Sequence, residues 1–108
     1  MKRGEVWWVQ FDPALGSEIK KTRPAIIISN DAANRNLARV MVMPLTSNTA
    51  QVYPGEALVT VAGQQSKAMA DQIMAADKAR LTRLVGSLSK PDLLAAEDAI
   101  RVQLGLAR

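Results

Sequence analysis

The sequence predicts a mainly β protein, six or seven short strands curved into a small antiparallel barrel and followed by one C-terminal helix. Three observations carry that expectation. Short apolar, β-branched runs recur along the chain, polar stretches with Pro or Gly separate them, and only from Ser89 onward does the apolar spacing change to a helical period. With 108 residues, 48% of them hydrophobic and 22% charged, the chain reads as one domain over residues 1–108 that buries enough apolar surface to need no disulfide or metal staple.

Residues 4–11, GEVWWVQF, combine alternation with aromatic and β-branched side chains and stop at Asp12-Pro13, the pattern of a strand ending in a turn. Residues 12–22 hold a proline, a glycine and polar residues without a sustained period, and read as a long loop. Arg23 and Pro24 lead into AIIIS, a continuous apolar run that fits a strand buried on both faces, with turn chemistry at Ser29-Asn30-Asp31. Residues 39–45, RVMVMPL, form the third strand, and Pro44 points to an edge position or a bulge near its end. After the polar connection TSNTAQVYPG come EALVTVA, KAMADQI and RLVGSL as further strands, with a short helical turn at ADKAR. Ser89 followed by Asp92 resembles a capping box. Leu93, Ala96, Ile100 and Leu104 share a helical face, and Gly105 stands just past the helix end.

The composition excludes several chemistries. With no cysteine there is no disulfide framework and no thiolate metal site, and with no histidine the commonest general base and metal ligand are both missing. No apolar run approaches the ~20 residues of a membrane span, and the opening MKRGEVWW lacks the apolar core of a signal peptide, so the expectation is a cytoplasmic protein without membrane contact. The net charge of +4 and pI near 9.9 favour a polyanionic partner. That charge is uneven. Lys20, Lys21, Arg23, Arg35 and Arg39 face only Glu18 and Asp31 between residues 17 and 39, whereas residues 55–108 carry seven positive and six negative charges.

Two stretches hold candidate chemistry. In GSEIKKTRP, Glu18 offers a carboxylate and Arg23 sits where a loop enters a rigid strand. A guanidinium there is always charged, and its fork of donors suits two phosphate oxygens and the extra charge of a phosphoryl transition state. In PLTSN, Thr46, Ser47 and Asn48 follow the third strand. They suit phosphate positioning or base-edge contact, and equally a turn that satisfies its own backbone. A serine-hydrolase reading fails because no histidine exists to activate Ser47.

Taken together, RGEVWWVQFDPALGSE, RPAIIISND, PLTSN, ADQI and DKARL resemble, in order and spacing, the MazF/PemK family of toxin endoribonucleases. The resemblance runs over nearly the whole chain. It implies an SH3-like barrel of the CcdB/MazF type that forms a homodimer and cuts single-stranded RNA, typically mRNA, at short motifs, with no metal or other cofactor. Carried over residue by residue, it puts catalytic roles on Arg23 and Thr46. Glu18 is the conventional candidate for the general base, because arginine keeps its proton and a threonine hydroxyl accepts one poorly. Ser17 borders the RNA groove in such enzymes. Lys20 and Lys21 are expected on phosphate, and Asn30, Ser47, Asn48 and Gln72 match polar positions expected at RNA. The implied inhibitor is a cognate antitoxin whose acidic, flexible segment occupies the basic groove. The same barrel also serves CcdB-type toxins, which bind DNA gyrase without chemistry. The pairing of Arg23 with Thr46 favours the nuclease, since a gyrase binder needs neither. A stacking barrel built on Trp7 and Trp8 is a third reading, and strand alternation leaves at most one of those two indoles over a groove.

Overall fold

The computed structural model describes residues 1–11, Gly16 and 21–107. Among the described residues there are seven strands, β1 Glu5–Gln10, β2 Thr22–Ile27, β3 Arg39–Thr46, β4 Glu56–Val61, β5 Gln64–Met69, β6 Met74–Asp77 and β7 Leu81–Ser87. Two helices accompany them, α1 Asp31–Asn36 and α2 Lys90–Leu104. The strands pair antiparallel in the order β4-β5-β3-β2-β1-β7, with β6 added on β3. The sheet curls into a half-barrel until β4 and β7, at its two ends, come close. A Cβ added at Gly86 of β7 would stand 3.2 Å from Val61 Cγ2 of β4, so a residue without a side chain suits that approach. No helix among the described residues is long and apolar enough to cross a membrane.

Alternation along the central strands sorts the core into two layers. Val6, Ile26, Met43 and Leu45 join β4, β5 and the inner face of α2 through Val59, Ala68, Ala96 and Ala99. Val9, Ala25, Ile27, Val40 and Val42 form the second layer with Phe11, Ala76 and Leu81. Successive residues of β2 thus enter different layers, which is why the run Ala25–Ile27 carries no polar position: this part of the strand is buried on both faces, as expected. Ile26 is fully buried between Val6 of β1 and Met43 of β3, its register partners. Ile26→Ala should therefore destabilise the fold by about 2–5 kcal/mol. Urea denaturation should show a lower midpoint with an unchanged slope.

Several boundaries differ from the sequence reading. Arg23 and Pro24 lie inside β2, opposite Val9 and Trp8 of β1, rather than ahead of it. Pairing of β2 with β3 begins only at Ala25, so the missing N–H of Pro24 falls outside that ladder. Pro44 is fully buried in a central strand, not on an edge. It falls where β3 changes partner, between the last β6 pair at Val42 and the first β5 pair at Leu45. The run KAMADQI is not one strand: β5 ends at Met69, Ala70–Gln72 form a 3-10 turn, and Met74–Asp77 start the separate β6. The turn expected at ADKAR is present as Lys78–Arg80, with Asp77 Oδ1 accepting from Ala79 N at 2.8 Å.

Helix α1 was not expected. Asn30, read as part of a turn, is its N-cap, and its Oδ1 accepts from Ala33 N at 2.8 Å. Helix α2 begins at the predicted Ser89, whose hydroxyl accepts from Asp92 N, and ends on Gly105 at φ 68°. Asp92 does not close the box onto Ser89. Its Oδ2 accepts from Thr60 N of β4 at 2.8 Å, so the carboxylate docks the helix on the sheet. Leu93 and Ile100 pack on the core beside buried Ala96 and Ala99, but Leu104 is exposed. Midway along α2, Glu97 pairs with Arg3 at 2.6 Å, and Arg3 Nε donates to Ile28 O.

Candidate nucleic-acid interface

Beyond Ala25 and Pro44, the last pair of the β2–β3 ladder, the two strands run on without pairing. Arg23 and Thr46 each lie two residues past that last pair, Arg23 now paired with Val9 of β1 and Thr46 with Lys67 of β5. Alternation turns both toward one face, the face of Ala25 and Val42, while Pro24 and Leu45 turn to the other. A cleft of about 380 Å³ opens at this end of the strands. Lys21, Arg23 and Ser47 supply its polar wall, and Trp8, Pro24, Leu45, Val61 and Val85 its apolar wall. The remaining lining comes from Thr22, Gln64, Ser66 and Ala62.

Rigid elements position these groups. Arg23 is half-buried in β2. Lys21, just before the strand, adopts φ 66°, a left-handed conformation that disfavours a side chain by roughly 1–2 kcal/mol. Its carbonyl accepts from Phe11 N at 2.9 Å, which closes the base of the β1–β2 connection. Thr46 ends β3 and is half-buried beside the cleft rather than in its lining. Its Oγ1 accepts from Asn48 N at 3.3 Å, and Asn48 Oδ1 in turn accepts from Ala50 N at 3.3 Å. On the opposite wall β4 and β5 meet in a two-residue turn, Ala62-Gly63, with φ 51° and 76°. Both values are positive, as a type I′ hairpin requires.

The expected residues separate into three groups. Lys21, Arg23 and Ser47 share the cleft, with Thr46 and Asn48 adjoining it. Asn30 stands at the far end of β2 as the α1 cap, and Gln72 is half-buried in the turn between β5 and β6. Ser17, Glu18 and Lys20 lie outside the described residues. Sequence reasoning placed no role on Gln64, Ser66 or Arg83, and it ranked Trp8 low. The two indoles do take opposite faces: Trp7 packs on the second core layer, while Trp8 lines the cleft with the Arg83 guanidinium 5.8 Å from its ring centroid. Arg80, on the same side of β1, donates to Gln10 O at 2.9 Å. The signal for these basic residues was the ARLTR segment, whose arginines fall in and before β7.

Two carboxylates away from the cleft are held in their charged form. Burial pushes the Glu5 carboxyl up, but hydrogen bonds from Lys2 N and Trp7 Nε1 and the nearby amino terminus outweigh it and leave it below its ordinary value. Asp31 is lowered chiefly by the Arg3 N–H, 2.7 Å from its Oδ1. No group of three or more acidic side chains among the described residues gathers in a way that could hold a metal ion. The polar wall is therefore a cationic and hydroxyl-bearing surface, suited to a phosphodiester and to the face of a base.

The profile of the PemK-like, MazF-like toxins of type II toxin-antitoxin systems matches residues 2–104. The chain is 42% identical to "Endoribonuclease MazF9" of Mycobacterium tuberculosis over 98% of both chains. It is 30% identical to "Endoribonuclease toxin MazF" of Escherichia coli K12, covering 94% of this chain and 92% of that one. In fold it is similar to a crystal structure of MazF from Deinococcus radiodurans, with TM-score 0.86, 24% identity and coverage of 98% and 97%. It is similar as well to a mycobacterial endoribonuclease in complex with its cognate antitoxin, with TM-score 0.84, 24% identity and coverage of 100% and 98%. A half-barrel with this cleft, matched over almost its full length by one toxin family, leaves a single assignment: the chain belongs to the PemK-like, MazF-like toxins of type II toxin-antitoxin systems.

Proposed function

We propose that the protein is an endoribonuclease that cuts single-stranded RNA at short sequence motifs, the toxin of a toxin-antitoxin pair acting on mRNA in the cytoplasm. The observation that supports this best is a cleft that gathers Lys21, Arg23 and Ser47, with Thr46 at the adjoining end of β3, in a chain without histidine or cysteine. Two relatives, at 42% and 30% identity, carry endoribonuclease names. With no protein nucleophile-base pair of the familiar kinds, the nucleophile is the substrate's own 2′-hydroxyl. Its oxygen attacks the adjacent phosphorus, the bond from phosphorus to the 5′-oxygen breaks, and the products are a 2′,3′-cyclic phosphate and a 5′-hydroxyl. The 2′ proton leaves to a base, for which Glu18 is the candidate carboxylate, and the departing 5′-oxygen gains a proton.

Arg23 stabilises the charge that builds on the phosphoryl oxygens and stands where it can help protonate the leaving group. Thr46 and Ser47 orient the phosphate, and Lys21 with Lys20 draws the backbone in. Ser17, Asn48, Asn30 and Gln72 remain assigned to RNA contact. Of these, Asn48 lies nearest the cleft, whereas the cap role of Asn30 makes it the weakest assignment. The protein acts as a two-fold homodimer, the commonest closed assembly. Its partner is an antitoxin whose acidic segment competes with RNA for the cationic wall. The mycobacterial neighbour solved with its cognate antitoxin supports a partner of that kind. The gyrase-binding alternative is not favoured, because the profile and the named relatives are those of the endoribonuclease branch.

The test is incubation of purified protein with a long single-stranded RNA in excess chelator, followed by mapping of the cut ends. Cuts should cluster at one short motif and persist without metal. Dependence on added magnesium or manganese, or cutting confined to duplex DNA, would overturn the proposal.

A further inference from the structure

Lys67 is an unusual residue for its place. It lies in the middle of β5, directly opposite Thr46 of β3, and is 9% exposed. Its ammonium is held within the fold rather than extended into solvent as is usual for lysine. Nζ stands 3.3 Å from Glu56 Oε2 and donates to Gln51 O at 3.0 Å. Glu56 holds the same connection from the other side: its Oε1 accepts from Tyr53 N at 2.9 Å, and its own N–H donates to Tyr53 O at 2.9 Å. One ion pair therefore grips the β3–β4 loop at Gln51 and at Tyr53. That loop starts at Ser47, which lines the cleft, and Thr46 precedes it.

Stability alone is a poor reason for such a pair. Removing two charges from water roughly cancels their attraction, and apolar side chains of similar volume often do as well or better. An ion pair does fix geometry in a way apolar packing does not, since its partners must stay within hydrogen-bond distance of stated atoms. We propose that Lys67 is a positioning residue for Thr46 and Ser47, acting with Glu56 as a buried clasp on the β3–β4 loop; its effect on catalysis rests on the RNA-cleaving reading above. Lys67 touches no substrate. It holds the hydroxyl groups where the phosphate must lie, and a displacement of about 1 Å at such groups is enough to slow chemistry by up to a hundredfold.

The experiment compares the unaltered protein with Lys67→Arg and with the double variant Lys67→Met, Glu56→Leu. Three quantities are measured: the thermal midpoint, amide hydrogen exchange over residues 48–56, and kcat and KM on an RNA carrying the mapped motif. The double variant should keep a midpoint within a few degrees of the unaltered protein, because no buried charge is left unpaired. Its amides at positions 53 and 56 should exchange at least roughly tenfold faster. Its kcat should fall roughly tenfold or more, with KM changed by less than about threefold, and Lys67→Arg should recover most of the rate. Unchanged loop exchange would overturn the clasp. Faster exchange with an unchanged kcat would overturn the positioning role, as would a rise confined to KM, which would make Lys67 a binding residue. If the unaltered protein cuts no RNA, the functional reading falls separately, and loop exchange still decides the clasp.

Discussion

Arg23→Ala should slow RNA cleavage by a hundredfold or more while weakening RNA binding by less than about tenfold. The asymmetry follows from where the guanidinium sits. A bound phosphodiester carries one negative charge, which Lys21 and the surrounding cationic surface already attract, whereas the pentacoordinate transition state concentrates additional charge on its equatorial oxygens. A donor fixed in a strand meets that charge without reorganising. Arg23 is held by the β1–β2 ladder through its pairing with Val9 and is half-buried, so its stem has little freedom to lose when the charge develops. Loss of one preorganised donor of this kind raises a barrier by ~3 kcal/mol, more than a hundredfold in rate. Single-turnover cleavage at saturating protein, with affinity measured separately on an uncleavable RNA, separates the two effects. A variant that binds tenfold more weakly yet cuts bound RNA at the normal rate would reassign Arg23 to capture. Lys21→Ala makes the contrasting control, since an exposed lysine on the cleft wall should lower affinity and its salt dependence more than the rate.

How far the sequence anticipated this molecule depended on whether a feature was local. β1, β3, β4 and α2 announce themselves because alternation, β-branching or the Ser89 and Gly105 caps act within a few residues. The break between β5 and β6 does not, because KAMADQIMAAD mixes apolar and polar residues without a clear period and the 3-10 turn at Ala70–Gln72 carries no Gly or Pro to mark it. Helix α1 is six residues long, too short for a period to emerge, and its cap residue has the same composition as a turn. Pro44 misled because proline normally marks an edge, and the partner change on one side of β3 is a property of the sheet rather than of the strand.

The candidate site follows the same division. Arg23 and Thr46 were readable as chemically apt residues at a strand mouth and a strand end, but that they lie just past the same end of the β2–β3 ladder follows from its register. The contributions of Trp8, Gln64 and Ser66 require the curl that carries β4 and β5 round to β1. Lys67 and Glu56 look in sequence like two ordinary surface charges. Only the ladder that sets β4 on β5, and the loop folded across them, turns them into a largely buried pair.

An RNA carrying a single 2′-deoxy substitution immediately 5′ of the scissile phosphate should bind with nearly unaltered affinity and remain uncut. Phosphate contacts dominate affinity in a cationic cleft, and the substitution leaves every phosphate in place. What it removes is the nucleophile. If the 2′-oxygen is the attacking atom, no rearrangement of Arg23, Thr46 or Glu18 can replace it, and the fall in rate should reach the limit of detection rather than a fixed factor. The unsubstituted RNA should yield fragments whose 3′ ends resist phosphatase until acid opens the cyclic phosphate, and whose 5′ ends accept a phosphate from a kinase without prior dephosphorylation. Moving the deoxy position one nucleotide to either side should restore cutting, which separates loss of the nucleophile from a general preference for ribose. Efficient cutting of the singly deoxy substrate would mean that water attacks instead. That water would need activation, and a chain with no histidine could supply it only through a bound metal or a carboxylate whose pKa is raised by burial. Chelation would then tell these two routes apart. Bound but uncut deoxy RNA would place the 2′-hydroxyl in the reaction and leave Arg23 and Thr46 the task the cleft suits them for, holding one phosphate in line and meeting its charge.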